Sequence, residues 1–187
     1  ADAPAMITKA YDQFTEADVI TLTLGGDHFI SYPILQSLAK KHGPLSLIHF
    51  DAHCDTWKDD SNRIDHGTMF YQAVQNGIVD PSRSIQLGMR TFNDETHGYQ
   101  VLDARWLHEY GVAKAVDAIK QRVGKNKCYV TFDIDFIDPA YAPGTGTPVV
   151  GGFNTHTALE LIRGLVGIHV VGMDVVEVSP PFDHAEI

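Results

Sequence analysis

Short apolar runs that alternate with longer amphipathic stretches restrict this chain more than any other feature. Val19 to Leu24, Leu45 to Phe50, Tyr129 to Phe132 and His169 to Val178 read as buried strands, with a shorter candidate at Ser84 to Leu87. Between them, helices are expected over Ile30 to His42, stopped by Gly43-Pro44, and over Met69 to Asn76, stopped by Gly77. Two more are expected at Val112 to Val123, stopped by Gly124, and at Thr157 to Leu165. Asn154, Thr155 and Thr157 offer N-cap oxygens for the last, and Glu160 completes a Thr-x-x-Glu capping box. This alternation is the sequence form of a parallel sheet covered by helices, so the expected class is α/β.

A chain of 187 residues with 44% hydrophobic content supports one substantial core, and residues 1–187 are read as a single domain. The first residue is not Met and Ile187 closes no element, so truncation at both ends is expected. Twenty-four acids against fourteen bases, a net charge of −10, lack the electrostatic footprint of a nucleic-acid binder. No apolar run approaches the roughly 20 residues that span a bilayer, and the opening residues do not form a signal peptide. Cys54 and Cys128 alone make no disulfide framework, which fits a reducing cytoplasm.

Polar residues collect where the strands end. Gly25-Gly26-Asp27-His28 follows the first run, Asp51-Ala52-His53-Cys54-Asp55 the second and Asp133-Ile134-Asp135 the third. Ligands of open α/β sheets bind beyond these carboxyl ends. In an extended segment, side chains two apart share a side, so Asp51, His53 and Asp55 are expected to converge, as are Asp133 and Asp135. Each element has a plainer reading: a lone Asp-x-His is more often a cap, and Gly-Gly merely marks a turn. Three such segments, each directly after an apolar strand, favour a metal site. Four carboxylates in one cleft would partly protonate one another, and two divalent cations remove that conflict by matching their charge. Oxygen-rich ligation with some imidazole, and no ligand thiolate, suits manganese. By strand alternation Cys54 should point away from the ions, and His49, deeper in its strand, reads as a supporting histidine. Within the long Gly- and Pro-rich loop Pro139 to Gly152, Gly144-Thr145-Gly146-Thr147 lacks the Lys and following helix of a phosphate loop and reads as a wall of the site.

The segments GGDH (25–28), FDAHCD (50–55), HGT (66–68), TFDIDFIDP (131–139), PGTGTP (143–148) and GMDVVEVSP (172–180) resemble the ureohydrolase signatures, in the family's order. The resemblance runs from Leu22 to Ile187. It implies an arginase-like three-layer α/β/α sandwich with two Mn2+ at the carboxyl edge of a mainly parallel sheet. His28, Asp51, Asp55 and Asp133 would hold one ion and Asp51, His53, Asp133 and Asp135 the other, with Asp51 and Asp133 bridging. It also implies a small guanidinium substrate cleaved to urea and an amine, with Glu177 binding the guanidinium group and His66 passing a proton to the leaving amine. A homo-oligomer, trimer or hexamer, is implied by resemblance alone.

Within the family, arginases carry an Asn two residues after the Asp-x-His-x-Asp segment, where this chain has Trp57. An indole has one donor and a large apolar face, and cannot replace an amide that reads a carboxylate. That favours agmatine, the decarboxylated substrate, and His66 to Tyr71 resembles bacterial agmatinases in particular. Asp59, Asp60 and Asp65 suit a cationic tail. Arg63 could instead meet a carboxylate, so 4-guanidinobutanoate is the alternative substrate. A reading from another class is an inactive metal-binding fragment or pseudoenzyme, in which missing flanking segments leave a sheet edge exposed.

Overall fold

The computed structural model describes residues 2–58, 64–93 and 95–184. Among them, six strands form one parallel sheet: β1 (Thr21–Leu24), β2 (Ser46–Phe50), β3 (Ile85–Leu87), β4 (Gln100–Leu102), β5 (Cys128–Asp133) and β6 (Val170–Val176). The helices are α1 (Ala3–Glu16), α2 (Ser31–His42), α3 (Met69–Gln75), α4 (Ala104–Val123) and α5 (Thr155–Gly164).

Successive residues of a strand point to opposite faces, and β2 divides its side chains accordingly. Leu47 packs with Leu35, Leu38 and Phe70 under α2 and α3, whereas Ile48 and Phe50 pack with Leu107, Ile119 and Leu161 under α4 and α5. The two apolar cores make three layers, α/β/α, as the sequence implied. β2 and β5 are buried along their whole length, which is why both read as near-continuous apolar runs. On the edge strand β1, Leu22 and Leu24 are 60% and 79% exposed.

Four local readings are corrected. Helix α1 was not foreseen, because much of its inward face is hydroxyl rather than apolar: Thr8 donates to the Pro33 carbonyl and Thr15 meets Ser37 on α2. Helix α4 starts at Ala104, with Asp103 accepting from the Trp106 N–H at 2.7 Å. It is interrupted at Gly111, with φ of +76°, so only its second half was read from the sequence. Helix α5 is capped by Asn154, which accepts from the Thr157 N–H at 2.8 Å. The capping box does not form, since Glu160 is turned to Arg163 at 2.7 Å. The three-residue β4 was also missed.

The sheet order, β1-β6-β5-β2-β3-β4, positions the site. From β2 the chain moves outward through β3 to β4, then crosses back to lay β5 on the other side of β2. Winding reverses between β2 and β5, and a crevice opens beyond their carboxyl ends. Gly88, just after β3, supports this crevice. Its φ is +91°, and an added Cβ would lie 2.5 Å from the Phe136 ring and 3.0 Å from the Asp51 carbonyl oxygen. Gly88→Ala is expected to cost about 2–4 kcal/mol through a disfavoured backbone conformation and an overpacked ring. Urea unfolding checks this, with a lower midpoint at unchanged slope expected and an unaltered midpoint contradicting it.

Candidate metal centre

Three aspartates bend the chain at the strand ends by accepting from their own backbone two residues on, the geometry of an Asx turn. Asp27 accepts from the Phe29 N–H at 3.0 Å, Asp51 from the His53 N–H at 2.6 Å, and Asp133 from the Asp135 N–H at 2.8 Å. The expected convergence occurs, although not through strand pleat. β2 ends at Phe50, Asp55 has φ of +52°, and Asp135 sits on a 3-10 turn. Once pairing stops, these short acids use the freed backbone N–H groups to fold the motif back over the crevice.

The six residues gather in two groups that share Asp51. His28 Nδ1 lies 3.0 Å from Asp55 Oδ2 and 3.3 Å from Oδ2 of both Asp51 and Asp133. His53 Nδ1 lies 3.0 Å from Asp135 Oδ2 and 3.3 Å from Asp51 Oδ1. Asp51 therefore turns one oxygen to each imidazole. Asp133 turns Oδ2 to the first group and gives Oδ1 to the Asp135 N–H. Cys54 is buried and belongs to neither group.

Electrostatics identify the residues under most strain. Burial, then the charge of Asp51, pushes Asp133 well above the usual carboxylate range and Asp55 up to about 6. Asp135 rises for the same reasons. Burial also works against an ionised Asp51, but His49, His28 and His53 hold it well below its ordinary value. Burial opposes protonation of both site imidazoles, yet the surrounding carboxylates raise His28 strongly and His53 to about 11. The carboxylates thus favour positive charge on both imidazoles, the charge that a bound cation would supply instead. A metal fits this set on a separate ground: His28 Nδ1 is fully buried, makes no aligned hydrogen bond, and points between three carboxylates, as a ligand atom does.

Further residues brace the centre. Gln86 donates both amide hydrogens, to the Cys54 carbonyl at 2.6 Å and to His49 Nδ1 at 3.0 Å. His49 Nε2 must then carry its proton, directed at Asp51 Oδ2 2.7 Å away. Arg90 donates to the carbonyls of Gly88, Asp135, Phe136 and Val149, tying the 139–152 loop to the turn that carries Asp135. Thr147 reaches Asp135 Oδ2 at 3.4 Å, so this loop does wall the site. Gln86 and Arg90 were missed, since each stands alone in the sequence without a motif around it.

At the rim, Asp27, His66 and Glu177 bring ligand-type atoms within 4.8 Å of one another. Glu177 lies one residue past β6, with φ of +61°, and its Oε1 accepts the His28 N–H at 2.6 Å. Burial, then nearby Asp27, raises its pKa despite that bond. His66 is 60% exposed at its side chain, with Nδ1 3.3 Å from Asp27 Oδ2. Burial opposes its protonation, but Asp27 raises it above the usual histidine value. Trp57 is 38% exposed, its ring centroid 6.4 Å from that of His53, and it faces Gly67. Asp65 does not face the crevice as a free acid, because it accepts from the Gly67 N–H and the Thr68 hydroxyl. Arg63, Asp59 and Asp60 lie outside the described residues.

The surrounding carboxylates favour the protonated form of both imidazoles, whereas a ligating imidazole is neutral, so cation binding there is linked to proton release. Divalent-metal titration in buffers of different ionisation enthalpy is expected to reveal proton release, with affinity rising as pH rises. A pH-independent affinity without proton release would contradict it. Asp133→Ala is expected to abolish two-metal occupancy, measured by elemental analysis, whereas retained stoichiometry would remove Asp133 from the ligand set.

The arginase-family profile matches residues 1–187. The agmatinase of Chromobacterium violaceum is 55% identical over 168 residues, spanning 89% of this chain and 52% of its own length. That of Proteus mirabilis is 52% identical over 166 residues, spanning 89% and 54%. The crystal structure of a hypothetical agmatinase from Burkholderia thailandensis superposes with a TM-score of 0.96 at 52% identity, over 98% of this chain and 58% of that one. Proclavaminate amidino hydrolase from Streptomyces clavuligerus gives 0.94 at 38% identity, over 99% and 64%. The chain spans about half the length of these curated relatives. With the family profile matched over residues 1–187, this chain belongs to the arginase family.

Proposed function

We propose that residues 1–187 form the metal-bearing part of a binuclear manganese hydrolase that converts agmatine to putrescine and urea. The observation that carries this is the shared aspartate: Asp51 turns one oxygen to the His28 group and the other to the His53 group. His28, Asp51, Asp55 and Asp133 would hold one ion, and Asp51, His53, Asp133 and Asp135 the other. Carboxylate oxygens with two imidazoles and no thiolate suit manganese. Such a pair, when bound, neutralises the four carboxylates and acidifies a water enough to make it a nucleophile at neutral pH.

The protein's own residues supply positioning and proton transfer. Glu177, fixed through the His28 N–H, offers a carboxylate at the crevice edge, where a guanidinium can be held by parallel N–H bonds. His66, made more basic by Asp27, can give a proton to the departing amine. The half-exposed carboxylate of Asp27 adds to the attraction for a cationic tail. Trp57 offers an apolar wall and no carboxylate-binding amide. The relatives named agmatinase support the same substrate. The 4-guanidinobutanoate reading rests on Arg63. Cytoplasmic location and a trimeric or hexameric assembly belong to this proposal by resemblance. Among the described residues, no helix is long and apolar enough to cross a membrane.

Urea release with manganese should be compared for agmatine, arginine and 4-guanidinobutanoate, using this chain and a version extended to the length of its relatives. Agmatine is expected to be preferred by the longer protein. Preference for 4-guanidinobutanoate would replace the substrate, and no urea from either protein would favour the pseudoenzyme. In the active protein, Glu177→Gln should keep both metals and lower kcat/KM by about 100-fold or more. His66→Phe should slow turnover by about 100-fold or more at unchanged metal content, and a normal rate would exclude it from the proton path.

A further inference from the structure

Behind His28, on the side away from the carboxylates, lies a buried polar chain that the proposed chemistry does not use. His28 Nε2 is 2.8 Å from Thr131 Oγ1, and the Thr131 hydroxyl donates to Asp174 Oδ1 at 2.6 Å. Asp174 Oδ2 accepts two more hydroxyl hydrogens, from Ser31 at 2.6 Å and Tyr129 at 2.7 Å. Ser31, Thr131 and Tyr129 are fully buried, and Asp174 is 1% exposed. Thr131 and Asp174 face each other across the β5–β6 pairing. Ser31 opens α2, three residues after His28, so the chain also ties the His28 turn to the sheet.

The direction of these hydrogen bonds matters more than their number. A carboxylate has no hydrogen to give, so the single hydroxyl hydrogen of Thr131 must go to Asp174. Thr131 then has only lone pairs to present to His28. When the ring is neutral, as a metal ligand must be, Nε2 is therefore its protonated nitrogen and Nδ1 keeps its lone pair. Nδ1 is the buried atom without a hydrogen-bond partner that points among Asp51, Asp55 and Asp133. Reversing the chain would place a hydrogen where a cation has to bind.

We propose that Asp174, acting through Thr131, is a positioning residue that sets the tautomer and orientation of His28 for metal binding. Asp174 touches neither metal nor substrate; its effect passes through two hydrogen bonds. The inference rests on the metal-centre reading of His28. It extends that reading to a strand position outside the acidic turns, and to a requirement for an acid rather than an amide. An asparagine at this position could turn its NH2 toward Thr131. The hydroxyl would then be free to donate to Nε2, which favours a proton on Nδ1.

The test uses the protein extended to the length of its relatives and titrates manganese or zinc into wild type, Thr131→Val, Thr131→Ser and Asp174→Asn. Wild type should bind two ions. Thr131→Val and Asp174→Asn should weaken one of them by about 10–100-fold, the range for a lost partner of a ligating histidine. Thr131→Ser, which keeps the hydroxyl, should bind within about threefold of wild type if this chain acts as described. In the zinc-loaded protein, nitrogen-15 spectra should give a slowly exchanging Nε2–H for His28, lost in Thr131→Val. Circular dichroism separates unfolding from loss of positioning, and Thr131→Ser keeps the test decisive if Asp174→Asn does not fold. Two ions bound with wild-type affinity by a folded Thr131→Val, or equal weakening by Thr131→Ser, would overturn the proposal. If wild type itself binds no metal, the metal-centre reading fails first.

Discussion

Four aspartates and two histidines share one crevice, and five of the six are almost completely removed from water. Groups of one charge cannot be packed this way unless opposite charge is packed with them, because each would suppress ionisation of the next. The raised carboxyls of Asp133, Asp135 and Asp55 and the raised imidazoles of His28 and His53 are two sides of that conflict. Protons on these groups are one way to relieve it. A pair of divalent cations resolves it while freeing the imidazoles to act as ligands.

The fold makes the conflict sustainable by building the crevice on its stiffest part. β2 and β5 are the central, fully buried strands, and the reversal of winding between them leaves their ends uncovered by any crossover. Asx turns hold the acids, and Gln86 with His49 secures the shared Asp51. Arg90 ties the long loop to the Asp135 turn by gripping four carbonyls. The rim is built differently. His66 and Asp27 are half exposed or more, and Glu177 sits in a left-handed conformation beyond its strand, held by two backbone hydrogen bonds. A rigid centre with an accessible rim suits a site that keeps its ions and exchanges its substrate.

Five of the six described strands, the α/β class and the clustering of His28, Asp51, His53, Asp55, Asp133 and Asp135 could be read from the sequence. Buried central strands announce themselves as apolar runs, and a polar residue just beyond such a run has little place to go except the sheet edge. Local geometry was harder to read. Strand parity predicted the right convergence for the wrong reason, since Asp51 and Asp133 turn the backbone through their own carboxylates. Helix α1 escaped because hydroxyls form part of its buried face, and β4 because three residues carry too little pattern. Supporting residues such as Thr131, Asp174, Gln86 and Arg90 are invisible to periodicity, because only the folded sheet brings them to their partners. Asp65, counted as an acid for the substrate, is committed to its own turn.

Anomalous diffraction at the manganese edge, from crystals of the protein grown with manganese, tests the central claim most directly. Two peaks are predicted, one beside His28 Nδ1 and one beside His53 Nδ1, with Asp51 between them. A single peak, or none among these six side chains, would contradict the account of how so many acids are held together.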